Sequence, residues 1–195
     1  MPGRPQAYLP VMSCVALITR PGRAALLVAF VGLLFGLQGA IVLRWPQPGQ
    51  DFGVAGYAAE GLLAASLVAA MAALGVLAPL HSRRGALGLW VARAGVGLML
   101  APVAAGLLLG RDLHWPVLYV GLGLALAGMR TLAVARRREG DLPEWFLQLP
   151  LFATAAGMLL VDRGGCLLLA AAWIAVAVAL WTAYASPSRV APAAS

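Results

Sequence analysis

Lysine is missing from this 195-residue chain, and charge of any kind is scarce. Fourteen Arg and seven acidic residues make up only 11% of the sequence. A soluble domain carries about 25% charged residues, so the shortage excludes a water-soluble globule. Polar connections are also short. The longest, near Arg44–Gly53 and Arg136–Glu144, run to about ten residues, whereas an independent small domain needs about 50. No soluble domain fits between the apolar runs.

Other shortages remove whole chemistries. The two His, His81 and His114, fall at the ends of apolar runs. They offer neither a bis-His haem site nor a metal site within a bilayer. The two Cys, Cys14 and Cys166, stand far apart, with no C-x-x-C and no metal-site spacing. A Gly-rich phosphate loop is lacking. Ser13, Ser66 and Ser82 have no base partner nearby in a span, and paired Asp within spans are missing. Intramembrane serine and aspartyl proteolysis are therefore unsupported. Neither a cofactor nor a metal is expected.

What the chain has is apolar length. It is 62% hydrophobic, with a mean hydropathy of +0.88. A transmembrane helix needs about 20 apolar residues, and the apolar runs here are continuous. Alternation of the kind a β-barrel strand requires is not seen. The expectation is an all-α integral membrane bundle of six spans: Ala24–Leu43, Val54–Leu80, Ala86–Leu109, Trp115–Ala135, Trp145–Val161 and Gly164–Ala185. Residues 1–23 form an interfacial cytoplasmic segment, with Tyr8–Ile18 too short to span. Residues 186–195 form a cytoplasmic tail. Met12-Ser13-Cys14 lacks the preceding apolar region of a lipoprotein signal, and the leading polar stretch is too long for a cleaved signal ending near Ala40. Asp162-Arg163-Gly164-Gly165 can only be a tight hairpin. Pro102 kinks the third span, and Pro150 acts likewise in the fifth.

The net charge of +7 does not point to nucleic acid, because the Arg residues sit at span ends. They set orientation instead. With the N-terminus inside, the inner segments hold Arg4, Arg20, Arg23, Arg83, Arg84, Arg136, Arg137, Arg138 and Arg189. The outer loops hold only Arg44, Arg111 and Arg163. The excess predicts both termini in the cytoplasm of a bacterial-type inner membrane. Trp45, Trp115 and Trp145 stand at span ends as interface anchors. The run Arg136–Arg138 reads as an orientation signal, with contact to anionic lipid as a further use.

One internal similarity stands out. Val31-Gly32-Leu33, Leu37 and Gly39 match Val120-Gly121-Leu122, Leu126 and Gly128 at an offset of 89 residues. The first and fourth spans run in opposite directions, as a three-plus-three inverted repeat would have them.

Polar groups inside the spans are the candidate site, since they are costly there. Glu60, Gln38 and Tyr57 lie in the outer half. Tyr57 is one turn from Glu60 on the same helix face. Together they suit a proton or cation site, or a hydrogen bond that locks the first two helices. Arg93, Arg130 and Gln148 lie in the inner half. Two guanidiniums at one level can clamp a phosphate or carboxylate. The competing reading is that each Arg snorkels to the headgroups or braces a neighbour. Gly32-x-x-x-Gly36-x-x-x-Ala40 is the best small-residue ladder. It permits close packing within the chain, or against a membrane-protein partner or second copy. Three functions fit: a small-solute carrier or substrate-binding membrane subunit, a non-catalytic assembly subunit, and a lipid-modifying enzyme using Arg93 and Arg130 on a headgroup. The surrounding lipid is the one partner common to all.

Overall fold

The computed structural model describes residues 21–45, 53–77, 82–109, 115–139 and 145–185, all in helices or the turns that flank them. Six α-helices follow in order: α1 (Pro21–Arg44), α2 (Val54–Leu77), α3 (Arg83–Leu109), α4 (Trp115–Glu139), α5 (Trp145–Leu159) and α6 (Cys166–Ala185). A 3-10 turn, Val161–Arg163, links α5 to α6. No strand occurs among the described residues. The expected interfacial segment Tyr8–Ile18 and the C-terminal tail lie outside them.

Local chemistry sets the ends. Pro21 opens α1 at a position where its missing N–H costs nothing. Ser82 caps α3, its Oγ accepting the Gly85 N–H at 2.8 Å. Gly164, at φ 76°, ends the 3-10 turn in the left-handed region. The Gly165 N–H donates back to the Leu160 carbonyl at 2.8 Å, which closes the expected tight hairpin. Pro102 and Pro150 both lie inside helices, as expected. The Arg44 guanidinium sits 5.7 Å from the Trp45 ring centroid, a cation–π pair at the end of α1.

Four stretches are long and apolar enough to cross a membrane: Gly22–Arg44, Val54–Leu77, Arg83–Leu109 and Pro116–Ala135. Gln148–Leu159 and Cys166–Thr182 are apolar but shorter. Large apolar side chains cover the outside, among them Phe30, Leu37, Trp90, Leu124, Phe152, Ile174 and Trp181. Lipid, not water, suits such a surface.

The helices pack in a ring that follows chain order. Each touches the next, and α1 closes on α6. Phe35, Leu74, Met99, Leu132, Met158 and Leu169 are fully buried in the core that results. The two closest seams are α1–α6 and α3–α4, and both are lined by glycine. A Cβ at Gly32 would meet the Ala170 carbonyl at 3.0 Å and the Ile174 nitrogen at 3.2 Å. A Cβ at Gly121 would meet the Gly95 carbonyl at 2.7 Å and the Met99 nitrogen at 2.8 Å. Gly39 abuts the Leu167 nitrogen, and Gly128 abuts the Ala92 nitrogen. Adding 89 to each α1 residue and subtracting 75 from each α6 residue turns the first seam into the second. Atom types correspond as well. The Gly32 and Gly36 edge proposed from sequence as a partner surface is thus covered by the chain's own α6.

The correspondence stops at the flanks. Val28, Val31, Phe35 and Gln38 of α1 are buried, but their α4 counterparts Val117, Val120, Leu124 and Ala127 are exposed. Conversely, Leu122, Met129 and Leu132 are buried while Leu33, Ala40 and Leu43 are exposed. The cause is the ring. Equivalent helices run in opposite directions, so the interior lies on opposite sides of equivalent seams. The matched segments share a seam register, but their surroundings differ.

Candidate functional site

Polar side chains stand on α1, α2 and α6: Gln38, Glu60 and Cys166. Gln38 is on the interior flank of α1, only 3% exposed, and its Oε1 has no hydrogen-bond partner. Leaving a buried carbonyl unpaired costs about 1–3 kcal/mol. The next residue, Gly39, abuts Leu167, which fixes Gln38 at the level of the first turn of α6. Cys166, fully buried with a free thiol, opens that turn. The Glu60 and Asp162 carboxylates are near enough to act electrostatically on the Cys166 sulfur. Glu60 is half-buried on α2 and engaged with neighbouring groups. Tyr57, one turn away, is 43% exposed and also engaged. A Cβ at Gly61 would meet nothing within 4 Å.

Among the described residues no group of three His, Cys, Asp or Glu could hold a metal ion.

Arg93 is committed elsewhere. Its Nε–H donates to the Met71 carbonyl of α2 at 3.0 Å. Its guanidinium lies against Gly75, in space that any Cβ there would fill. Arg93 therefore braces α3 against α2. Arg130 is exposed on α4. The two guanidiniums engage different surfaces, one turned to α2 and one turned outward. Gln148 is half-buried on α5 and has a partner.

A like pattern of polar residues recurs in α2 and α5. At an offset of 88 residues Tyr57 pairs with Trp145, Glu60 with Gln148 and Ser66 with Thr154. Both hydroxyls are buried, and each donates to the carbonyl four residues back, Leu62 and Pro150, at 2.6 Å. Back-bonding of this kind satisfies a hydroxyl in an apolar bundle and bends the helix slightly.

Sequence reasoning missed Cys166. Spacing rules test cysteines against each other and say nothing of a lone thiol that the bundle buries. No known protein family matches the chain, and no curated protein or solved structure is similar to it.

Proposed function

We propose that the chain is a multi-pass carrier of a small solute in a bacterial-type inner membrane, with six spans and both termini in the cytoplasm. The observation that carries this is Gln38: a buried carbonyl without a hydrogen-bond partner in an apolar helix is of use to a ligand and of none to a scaffold. A Cβ at Gly22 would meet the Trp181 ring at 3.5 Å, so α1 begins where α6 ends. That proximity supports an even number of crossings. The Arg excess supports the cytoplasmic side.

In this reading Gln38, Glu60 and Tyr57 form the outer site. Arg130 and Gln148 face the inner side, where Arg130 attracts an anionic group, and Arg93 holds the α2–α3 pair in place. The test is flux. In everted membrane vesicles carrying an imposed proton gradient, some member of a panel of amines, amino acids and organic acids should dissipate the gradient in wild type and not in Glu60→Gln. No response to any of them, with Glu60→Gln and Arg130→Ala indistinguishable from wild type in uptake and growth, would sink the carrier reading.

A second reading is a non-catalytic assembly subunit. The glycine seams and the Arg93 brace favour it, since both serve packing. Native mass spectrometry after mild extraction separates the two: a protein partner at fixed stoichiometry supports the subunit, and a lone chain dismisses it. A lipid-modifying enzyme has less support, because Arg93 is occupied and no nucleophile accompanies Arg130.

A further inference from the structure

We infer that the groove between α2 and α3, at the end where α2 stops and α3 starts, binds a phosphate-type oxyanion on the terminal nitrogens of Arg93. The inference stands apart from the carrier reading, since such a site needs no transport.

The brace occupies only part of this side chain. A guanidinium has five N–H donors, and the bond to the Met71 carbonyl takes the one on Nε. No other hydrogen bond or ion pair engages Arg93 among the described residues. Its terminal nitrogens are not sealed in the core either, because the single buried side-chain polar atom without a partner there is the Gln38 Oε1. Four donors and one positive charge therefore open onto the surface. The two helices supply no acid to meet them. α3 has none, and the one on α2, Glu60, lies fifteen residues before Gly75, about 22 Å along the helix. A charge within an apolar span is costly, and an anion drawn into the groove offsets that cost.

The groove has room for one. Gly75 puts no side chain beside the guanidinium and is itself half-buried. Ala86 lies seven residues before Arg93 on the same face of α3, and it is small and exposed. Ala72 and Trp90 are exposed as well, so the groove opens outward, toward lipid. Arg83 and Arg84 begin α3 at its mouth, both exposed, and draw anions to it. A planar guanidinium with both terminal nitrogens unused can give two parallel N–H bonds to one oxyanion. Basic pockets between helices hold the headgroups of anionic lipids in this way.

The closing experiment has two arms. In the first, the full chain in mild detergent is exposed to phosphatidylglycerol and to phosphatidylcholine of the same acyl chains, and retained lipid is read by native mass spectrometry. Wild type should retain phosphatidylglycerol at least fivefold over phosphatidylcholine, and Arg93→Gln should abolish that preference. Ala86→Leu crowds the groove without touching the Met71 bond. It should weaken phosphatidylglycerol retention at least fivefold with Tm of the lipid-free protein unchanged, and it decides the matter should Arg93→Gln fail to fold. In the second arm, inorganic phosphate is titrated calorimetrically into the chain in phosphatidylcholine nanodiscs. Phosphate binding that Ala86→Leu or Arg93→Gln removes supports the site and makes the ligand a soluble oxyanion. Phosphatidylglycerol retention without phosphate binding supports the site and makes the ligand a headgroup. A lipid preference unchanged in both variants, with no phosphate binding that depends on them, overturns the inference, and Arg93 is then a brace alone. A preference that survives Arg93→Gln but is lost when Arg83→Gln and Arg84→Gln are combined also overturns it, since the lipid then answers surface charge.

Discussion

At Gly95 the backbone of α4 leaves no room for a side chain. A Cβ there would run into the Ala125 backbone and reach the Gly121 carbonyl at 2.6 Å. Backbone cannot rotate away as a side chain can. Gly95→Ala should therefore cost about 1–3 kcal/mol, the usual range for overpacking, and Tm should fall. Gly61→Ala is the control, since a Cβ there meets nothing within 4 Å. It should leave Tm unchanged or raise it, because glycine inside a helix is the weaker choice. Arg93 and Gly75 act as one device. The guanidinium occupies the glycine's empty side and its Nε–H bonds the Met71 carbonyl. Arg93→Ala and Gly75→Val should each destabilise the protein, and the double variant should cost less than their sum. A double-mutant cycle on melting measures that coupling. The sequence marked Arg93 as either a ligand clamp or a brace. Only the position of α2 decides between them, and depth along a helix does not reveal which neighbour a side chain faces.

Among the elements, the α5–α6 hairpin holds the most constraint in the fewest residues. Gly164 takes a φ that other residues adopt at a cost of about 1–2 kcal/mol. Its side-chain position is also filled by Leu43 of α1, whose Cγ would lie 2.5 Å from a new Cβ. Gly164→Ala should lower Tm, and adding Leu43→Ala should recover part of the loss. The recovered part is the clash, and the remainder is the backbone conformation. The short fifth helix follows from this turn. At about 1.5 Å per residue, the 15 residues of α5 extend about 22 Å, less than the roughly 30 Å of a bilayer core. Its existence and its hairpin were legible, because Trp145 and Asp162-Arg163-Gly164-Gly165 punctuate the chain. The α1–α4 similarity was legible as well, through glycines 89 residues apart. Which helices those glycines meet was not. Pairing is decided by ring closure, and α6 and α3 share almost no sequence at the contact. The interior polar groups were half legible. Gln38 and Glu60 declared themselves as polar groups in apolar helices, while Cys166 passed as an ordinary buried residue.

On the scale of the whole molecule, ring order makes a topological prediction. Gly22 lies against Trp181, so the start of α1 and the end of α6 share one end of the bundle. With native cysteines replaced, Gly22→Cys and Trp181→Cys should react with a membrane-impermeant maleimide from the same side only. A short bis-maleimide should join them. Labelling from opposite sides would refute the even crossing number. The same arrangement explains why flank exposure could not be foreseen from the repeat. Similar helices sit in unlike positions, and each must be apolar all round, which removes the one-sided pattern that periodicity detects.

The α1–α6 closure also bears on how the protein is made. Gly32 and Gly39 abut residues 167–174, so α1 is made well before the helix that covers its glycine edge. Until α6 is made, α1 keeps an uncovered glycine edge. A chain halted before Cys166 carries that edge permanently, open to degradation or to capture by another helix. Synthesis of α6, not of the helices between, is the step that closes the ring.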